Sequence, residues 1–230
     1  YQKNLIKHLR QANKKIDIIG YDHTAPQPLP INYYYDRFSP DKLLICSKNK
    51  FNFNHKVLNW PKKKMKIIPS IRFFNLNKKN FSNKIFLPYM LKDYSLVKNS
   101  INDLINRNKI NDITKFDIRN HPDQANSKKH LNLKEQIIDL QKSTLRNNVK
   151  RNIDKDISIF IGNSTVLSLC IELGLKCYQI SLEPTFDTYS NKFWPGVNVS
   201  RLNKNIFIYS KRNKKNFIKI SKKSNSKKFL

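Results

Sequence analysis

Glycine is the first scarcity in this chain: 4 among 230 residues, with almost no alanine. Neither a Gly-Lys-Ser/Thr phosphate loop nor a GxGxxG turn occurs, so ordinary NTPase and dinucleotide-binding readings find no support. Acidic residues are also few, 16 against 45 lysines and arginines, for a formal net charge of +29. The cysteines, Cys46, Cys170 and Cys177, are odd in number and lack metal-ligand spacing. That argues against a disulfide framework or a zinc module. Cys170, in an apolar helical pattern, and Cys177, at a strand start, read as small core residues, which suits a reducing compartment. No stretch approaches the roughly 20 apolar residues of a membrane helix, and no signal peptide heads the sequence. The expected location is the cytoplasm, with any membrane contact peripheral and on the inner face. The first residue is Tyr1 rather than an initiator methionine, so the chain reads as a fragment or a domain of something longer.

Enough apolar material is present for a real core. Hydrophobic residues make up 39% and aromatics 11%, which excludes global disorder. The positive charge would attract nucleic acid or an anionic membrane. Yet lysine, asparagine, isoleucine, phenylalanine and tyrosine abound together, as an AT-rich coding sequence would produce, so much of the lysine reads as solvated surface. No nucleic-acid recognition motif accompanies the charge, and nucleic acid is not the favoured partner.

The patterning predicts strands over residues 16–20, 41–46 and 67–72, the last weakened by Pro69, with one helical turn over 54–58. Residues 74–83, rich in Asn and Lys, read as a linker. Alternation follows: strand 84–88, helix 94–107, strand 114–119, helix 131–145, strand 157–161, helix 165–173 closed by Gly174, strand 176–181 and strand 205–209. Such alternation is the signature of a parallel sheet covered by helices. The expected fold is therefore α/β and Rossmann-like, with helices on both faces. Residues 1–78 form the end of one α/β domain and 79–230 a second domain with a basic tail, helical or frayed.

Two strand ends carry the chemistry. Asp117-Ile-Arg-Asn-His-Pro122 stops in a histidine that can donate to a phosphate or act as a general acid, although a histidine capping a turn would look the same. Arg119, alternating with Asp117, is a second candidate for phosphate. Asp156-Ile-Ser-Ile-Phe-Ile-Gly-Asn-Ser-Thr165 runs from an apolar strand straight into a helix. There Asn163, Ser164 and Thr165 offer hydroxyls and backbone N–H groups to an anion, helped by the helix dipole. Four small or polar residues in a row exceed what an N-cap needs. Glu172 and Glu183 are candidates to hold a sugar or ribose hydroxyl, and Glu172 reads equally well as a solvated helix residue. His23 follows Gly20-Tyr-Asp22 at another strand end. His8, His55 and His130 share no metal spacing, and neither a metal site nor a cofactor is expected.

Together these segments resemble the C-terminal half of two-domain GT-B transferases that build bacterial surface carbohydrates. The likeness is to surface-carbohydrate biosynthesis proteins, bacterial polysialyltransferases and CDP-glycerol glycerophosphotransferases. His121-Pro122 and Ser164-Thr165 match the His-Pro and Ser-Ser/Ser-Thr motifs that in those families hold the donor's phosphates. The resemblance implies a GT-B C-terminal domain preceded by the end of an N-terminal, acceptor-side domain, most of which lies outside this chain. It implies metal-independent transfer of a sugar or polyol phosphate from a nucleotide-activated donor to a carbohydrate or lipid-linked acceptor, as in lipopolysaccharide assembly. Gly20-Tyr-Asp-His23 is similar to the segment whose histidine is the catalytic base, with Asp22 before and Thr24 after it here. A nucleotide-sugar epimerase on the same fold, or a basic nucleic-acid-binding module, is the alternative.

Overall fold

A computed structural model describes residues 2–13, 15–22, 33–70, 73–90, 93–107, 109–110, 112–145, 156–186, 194–212 and 218–220. The chain divides into two compact units.

In the first unit helix α1 (Gln2–Ala12) precedes a parallel sheet of three strands, β1 (Ile19–Asp22), β2 (Lys42–Ile45) and β3 (Met65–Ile67), in the order β1-β2-β3. Helix α2 (Lys48–Lys56) follows β2, its first turn capped by the Ser47 hydroxyl, which accepts the Lys50 N–H. The expected helical turn over 54–58 is thus the end of a longer helix, whose polar surface hid its period. Strand β1 begins three residues later than the apolar pattern suggests. Ile18 is instead tied to Asp41, and the ladder starts at Ile19. Gly20 is required there, because a Cβ would stand 2.9 Å from Pro40 Cγ. Strand β3 ends at Ile67, ahead of Pro69, so the proline stops the ladder rather than weakening it. Leu43, Ile45, Leu58, Trp60 and Met65 form this unit's core.

The second unit holds a six-stranded sheet in the order β5-β4-β6-β7-β9-β8. Strands β4 (Lys84–Phe86), β5 (Asp117–Arg119), β6 (Ile157–Ile161) and β7 (Lys176–Ile180) are parallel. Strands β8 (Val197–Asn203) and β9 (Ile206–Lys211) form a hairpin that adds antiparallel to β7 through β9. The hairpin corrects a purely parallel reading: β8 alternates polar and apolar residues and was not assigned from sequence. Helices α3 (Tyr94–Asn106) and α4 (Lys128–Leu145) share one core with Ile85, Ile159 and Tyr178 on one face of the sheet. Helix α5 (Thr165–Glu172) packs against β7 and β9 on the other face, where Cys170 meets Cys177. Helices therefore cover both faces, as expected of a Rossmann-like fold. All three cysteines are buried and unpaired, and burial pushes the Cys46 and Cys177 thiols up.

The division of the chain corrects the expected domains in one respect. The first boundary falls at 76/77, close to the expected 78/79, but residues 194–196 and 218–220 belong to the first unit. Trp194 stacks on Phe53 with centroids 5.3 Å apart. The Lys219 N–H donates to the Cys46 carbonyl and the Ser70 N–H to the Lys219 carbonyl, both at 2.7 Å. Polar composition alone carries no sign of such a return.

With so few glycines, the turns that need a left-handed backbone use other residues. Asn59, Asn75, Asn83 and Asp156 have φ between 47° and 76°, a region that Asn and Asp enter more readily than other side chains. Asn83 and Asp156 stand just before β4 and β6, and their backbone groups tie into β5, β6 and β7.

Two predictions follow for the first unit. At the end of β1, Asp22 forms a buried ion pair with Lys50 of α2, with side-chain exposures of 8% and 11%. Asp22→Ala, which leaves a buried ammonium facing a lost carboxylate, is expected to cost about 3–5 kcal/mol in urea unfolding. The double change Asp22→Leu with Lys50→Met is expected to recover most of that. Asp41 accepts the Ile18 N–H at 3.0 Å and the Arg10 guanidinium at 2.8 Å, and these partners hold its carboxyl below the usual range. A carboxyl depressed on folding stabilises above its unfolded value near 4 and loses that contribution as pH falls through its folded value. Asp41→Asn is therefore expected to flatten the acid limb of the stability–pH curve and leave its shape above pH 5 unchanged.

Candidate functional site

Strand β4 sits between β5 and β6, and its neighbours' outgoing connections diverge. The chain leaves β4 towards α3 on one face and leaves β6 towards α5 on the other. Loops that part in this way open a crevice at the carboxyl ends of the two strands, the usual ligand position in open α/β sheets. The β5 end lies on the far side of β4, so the His121 and Ser164 segments reach the same edge of the sheet about 10 Å apart, two strand spacings.

Fully buried β6 delivers the chain to Gly162, whose φ of 77° turns it sharply into α5. Ser164 is the N-cap, its Oγ accepting the Val166 N–H at 3.2 Å. Among the described residues the N–H groups of Asn163, Ser164 and Thr165 take no protein acceptor. Three backbone donors at a helix start, with the Thr165 hydroxyl and the positive end of the helix dipole beside them, suit an anion. At its other end α5 closes on Gly174 (φ 78°): the Leu175 N–H donates to Cys170 O at 2.9 Å and the Gly174 N–H to Ile171 O at 3.0 Å.

A buried amide fixes this loop. Gln179, on β7, is fully buried. Its Nε2 donates to Asn163 Oδ1 at 2.5 Å and to Gly162 O at 3.2 Å. Its Oε1 accepts the Tyr209 hydroxyl at 2.7 Å and the Thr185 N–H at 2.9 Å. Burial pushes the Tyr209 phenol well up, so it stays a donor. The Thr185 hydroxyl also donates to Asn163 Oδ1, at 3.3 Å. With its oxygen drawn inward, exposed Asn163 presents its amide N–H groups outward.

His121 caps the 3-10 turn Pro122–Gln124, its Nδ1 accepting the Asp123 N–H at 3.3 Å. The capping alternative is therefore real, and the Asp123 carboxylate also stands 3.8 Å from Nδ1. The His121 Nε2 has no protein partner among the described residues. Its ring meets Tyr89 edge-to-face, with centroids 5.3 Å apart.

The remaining candidates fall in different places. Arg119 is the last residue of β5, exposed, beside Phe86 on the face opposite the α3–α4 core. Glu183 is exposed just past β7, at the same edge as Gly162, its carbonyl accepting from Gln179 at 3.4 Å. Glu172 is not brought to this edge: it ends α5, about 10 Å along the helix from Thr165, and its carboxylate pairs with Lys211 at 2.8 Å. His23 lies outside the described residues. A cleft of about 430 Å³ runs between β5 and α4, lined by Asp117, Arg119, Lys134 and Gln141. It follows the outer edge of β5 rather than the strand ends. Among the described residues no group of His, Cys, Asp and Glu is arranged to hold a metal ion, and no helix is long and apolar enough to cross a membrane.

Two contributors were missed from sequence. Gln179 is the one amide in the run Lys176-Cys-Tyr-Gln-Ile180, and a polar residue facing a helix-covered sheet is a detectable signal. Tyr89, 55% exposed, follows Leu87-Pro88 at the end of β4. With Met90, Leu131 and Leu182 it makes up the exposed large hydrophobic residues of this unit, and all four lie on loops or first turns at the carboxyl edge of the sheet.

Comparison with protein-family models, curated proteins and solved structures finds no match for this chain.

The Gln179 network makes a clear prediction. Gln179→Leu fills similar volume but removes the acceptor of the buried Tyr209 O–H and the donor to Gly162 O and Asn163 Oδ1, leaving Thr185 bonded only to Tyr209 and Asn163, and is expected to cost about 2–4 kcal/mol in chemical denaturation. Gln179→Glu with Tyr209→Phe is not expected to rescue it, since Glu lacks the N–H groups that Asn163 and Gly162 require.

Proposed function

We propose that the chain is part of a GT-B-type glycosyltransferase, acting on a nucleotide-activated sugar or polyol phosphate. One observation carries the reading: the two sequence-distant segments His121-Pro122 and Gly162–Thr165 end at the same edge of the sheet, on either side of the strand where the connections diverge. In this reading the donor's phosphates lie over the start of α5. They accept hydrogen bonds from the N–H groups of Asn163, Ser164 and Thr165, the hydroxyls, and the Asn163 amide. His121 offers Nε2–H to the leaving phosphate. Donors held in place before the reaction stabilise departing charge without reorganising, which removes the need for a metal. Arg119 adds a cation two residues before His121, and Glu183 is the proposed partner of a ribose or sugar hydroxyl. His23 is the proposed base towards an acceptor hydroxyl. The acceptor is a carbohydrate or lipid-linked chain, and the basic surface holds the protein against an anionic membrane.

The test is a thermal-shift series with CMP, CDP, UDP, GDP and a short single-stranded DNA, on wild type and His121→Ala. A ligand at a hundred times its Kd adds about 2.7 kcal/mol, a shift of several degrees for a chain of this size. One nucleotide is expected to raise Tm by that amount, and less so in His121→Ala. A shift with DNA alone, equal in both proteins, would instead identify a basic nucleic-acid-binding module. If one nucleotide binds, turnover of its sugar conjugate separates transfer from epimerisation.

A further inference from the structure

Tyr89 stands at the divergence of the sheet's connections, just past β4, with a ring 55% exposed. An aromatic ring that open is ordinarily free to move, but this one is held from two sides. The His121 imidazole lies edge-on to it, 5.3 Å between centroids and 79° between planes. The backbone next to it is fixed by His130, which is 3% exposed and whose Nε2 lies 2.9 Å from the Pro88 carbonyl. A carbonyl only accepts, so Nε2 carries the hydrogen. Nδ1 is then a bare acceptor, buried and without a partner among the described residues. Burying an unpaired ring nitrogen is unfavourable. What it secures is the position of Pro88, and with it of Tyr89.

The surroundings suit a flat ring joined to a phosphate. β4 and β6 are neighbours, so Tyr89 and the free N–H groups after Gly162 lie about one strand spacing apart, a gap a ribose bridges. Met90 and Leu182, 77% and 64% exposed, add apolar surface at the same edge. Resting on the donor-site reading above, we infer that Tyr89 is the stacking platform for the nucleobase. It gives the site its preference for a nucleotide over a bare phosphate.

The experiment is isothermal titration of the 230-residue chain with CMP, CDP, UDP and GDP, and with inorganic pyrophosphate, on wild type, Tyr89→Ala and Tyr89→Phe. The exposed position keeps both variants folded, which their melting curves will verify. Base stacking predicts that Tyr89→Ala weakens the tightest nucleotide about 5- to 100-fold and leaves pyrophosphate within twofold, while Tyr89→Phe matches wild type. If wild type and Tyr89→Ala bind that nucleotide equally, the platform is refuted and the donor site stands. An equal loss for nucleotide and pyrophosphate would also refute it, because the substitution would then act on the loop and not on the base. If wild type binds none of the four nucleotides, the donor-site reading fails, and the platform with it.

Discussion

Placing an uncharged amide in the middle of a buried strand commits the surrounding structure to satisfying it. Gln179 has four hydrogen-bonding positions and meets Asn163, Gly162, Glu183, Thr185 and Tyr209 with them. Those partners come from the β6–α5 turn, the segment after β7, and β9. A half-satisfied amide would be worse than a leucine there, so the three segments are held in one arrangement. The turn that offers N–H groups to an anion is thus fixed from beneath by the sheet, and its preorganisation does not depend on a ligand.

Glycine scarcity sharpens the same point. Asparagine and aspartate cover the left-handed positions at Asn59, Asn75, Asn83 and Asp156, and glycine those at Gly162 and Gly174. Gly20 avoids a clash with Pro40. Gly162 and Gly174 bracket α5, one turning the chain into the helix and the other closing it. Two of the chain's 4 glycines thus stand at the two ends of one helix.

Much of the second unit was legible because parallel strands buried on both faces read as unbroken apolar runs. Ile157–Ile161 and the Thr165–Glu172 helix fell within a residue of their expected limits. Short or edge elements were not legible. β5 is three residues long, and its expected start at Thr114 is a 3-10 turn held by Asp112. β8 was hidden by its polar alternation, and α2 by its polar face. At the site, the Gly162–Thr165 turn and His121 could be named because strand ends concentrate polar residues. Glu172 was misplaced, because helix membership says nothing about which end of the helix faces a ligand. Tyr89, His130 and Gln179 escaped because their roles depend on contacts across 16 to 42 residues of sequence.

The charge of the chain and the chemistry of the crevice are separate matters. Most of the donors gathered at the sheet's carboxyl edge are neutral dipoles: backbone N–H groups, two hydroxyls and one amide, with the His121 imidazole beside them. Neutral donors fixed in place hold an anion by geometry and are less affected by added salt than a field of lysines. A surface of lysines binds polyanions through counterion release, and that binding falls steeply as salt rises. The two modes can therefore coexist in one molecule and remain distinguishable. Net charge governs which macromolecular surface the protein approaches, whereas the crevice governs which small molecule it can hold. A charge of +29 is then neither support for the proposed donor site nor an objection to it; only the strand ends distinguish one small anion from another.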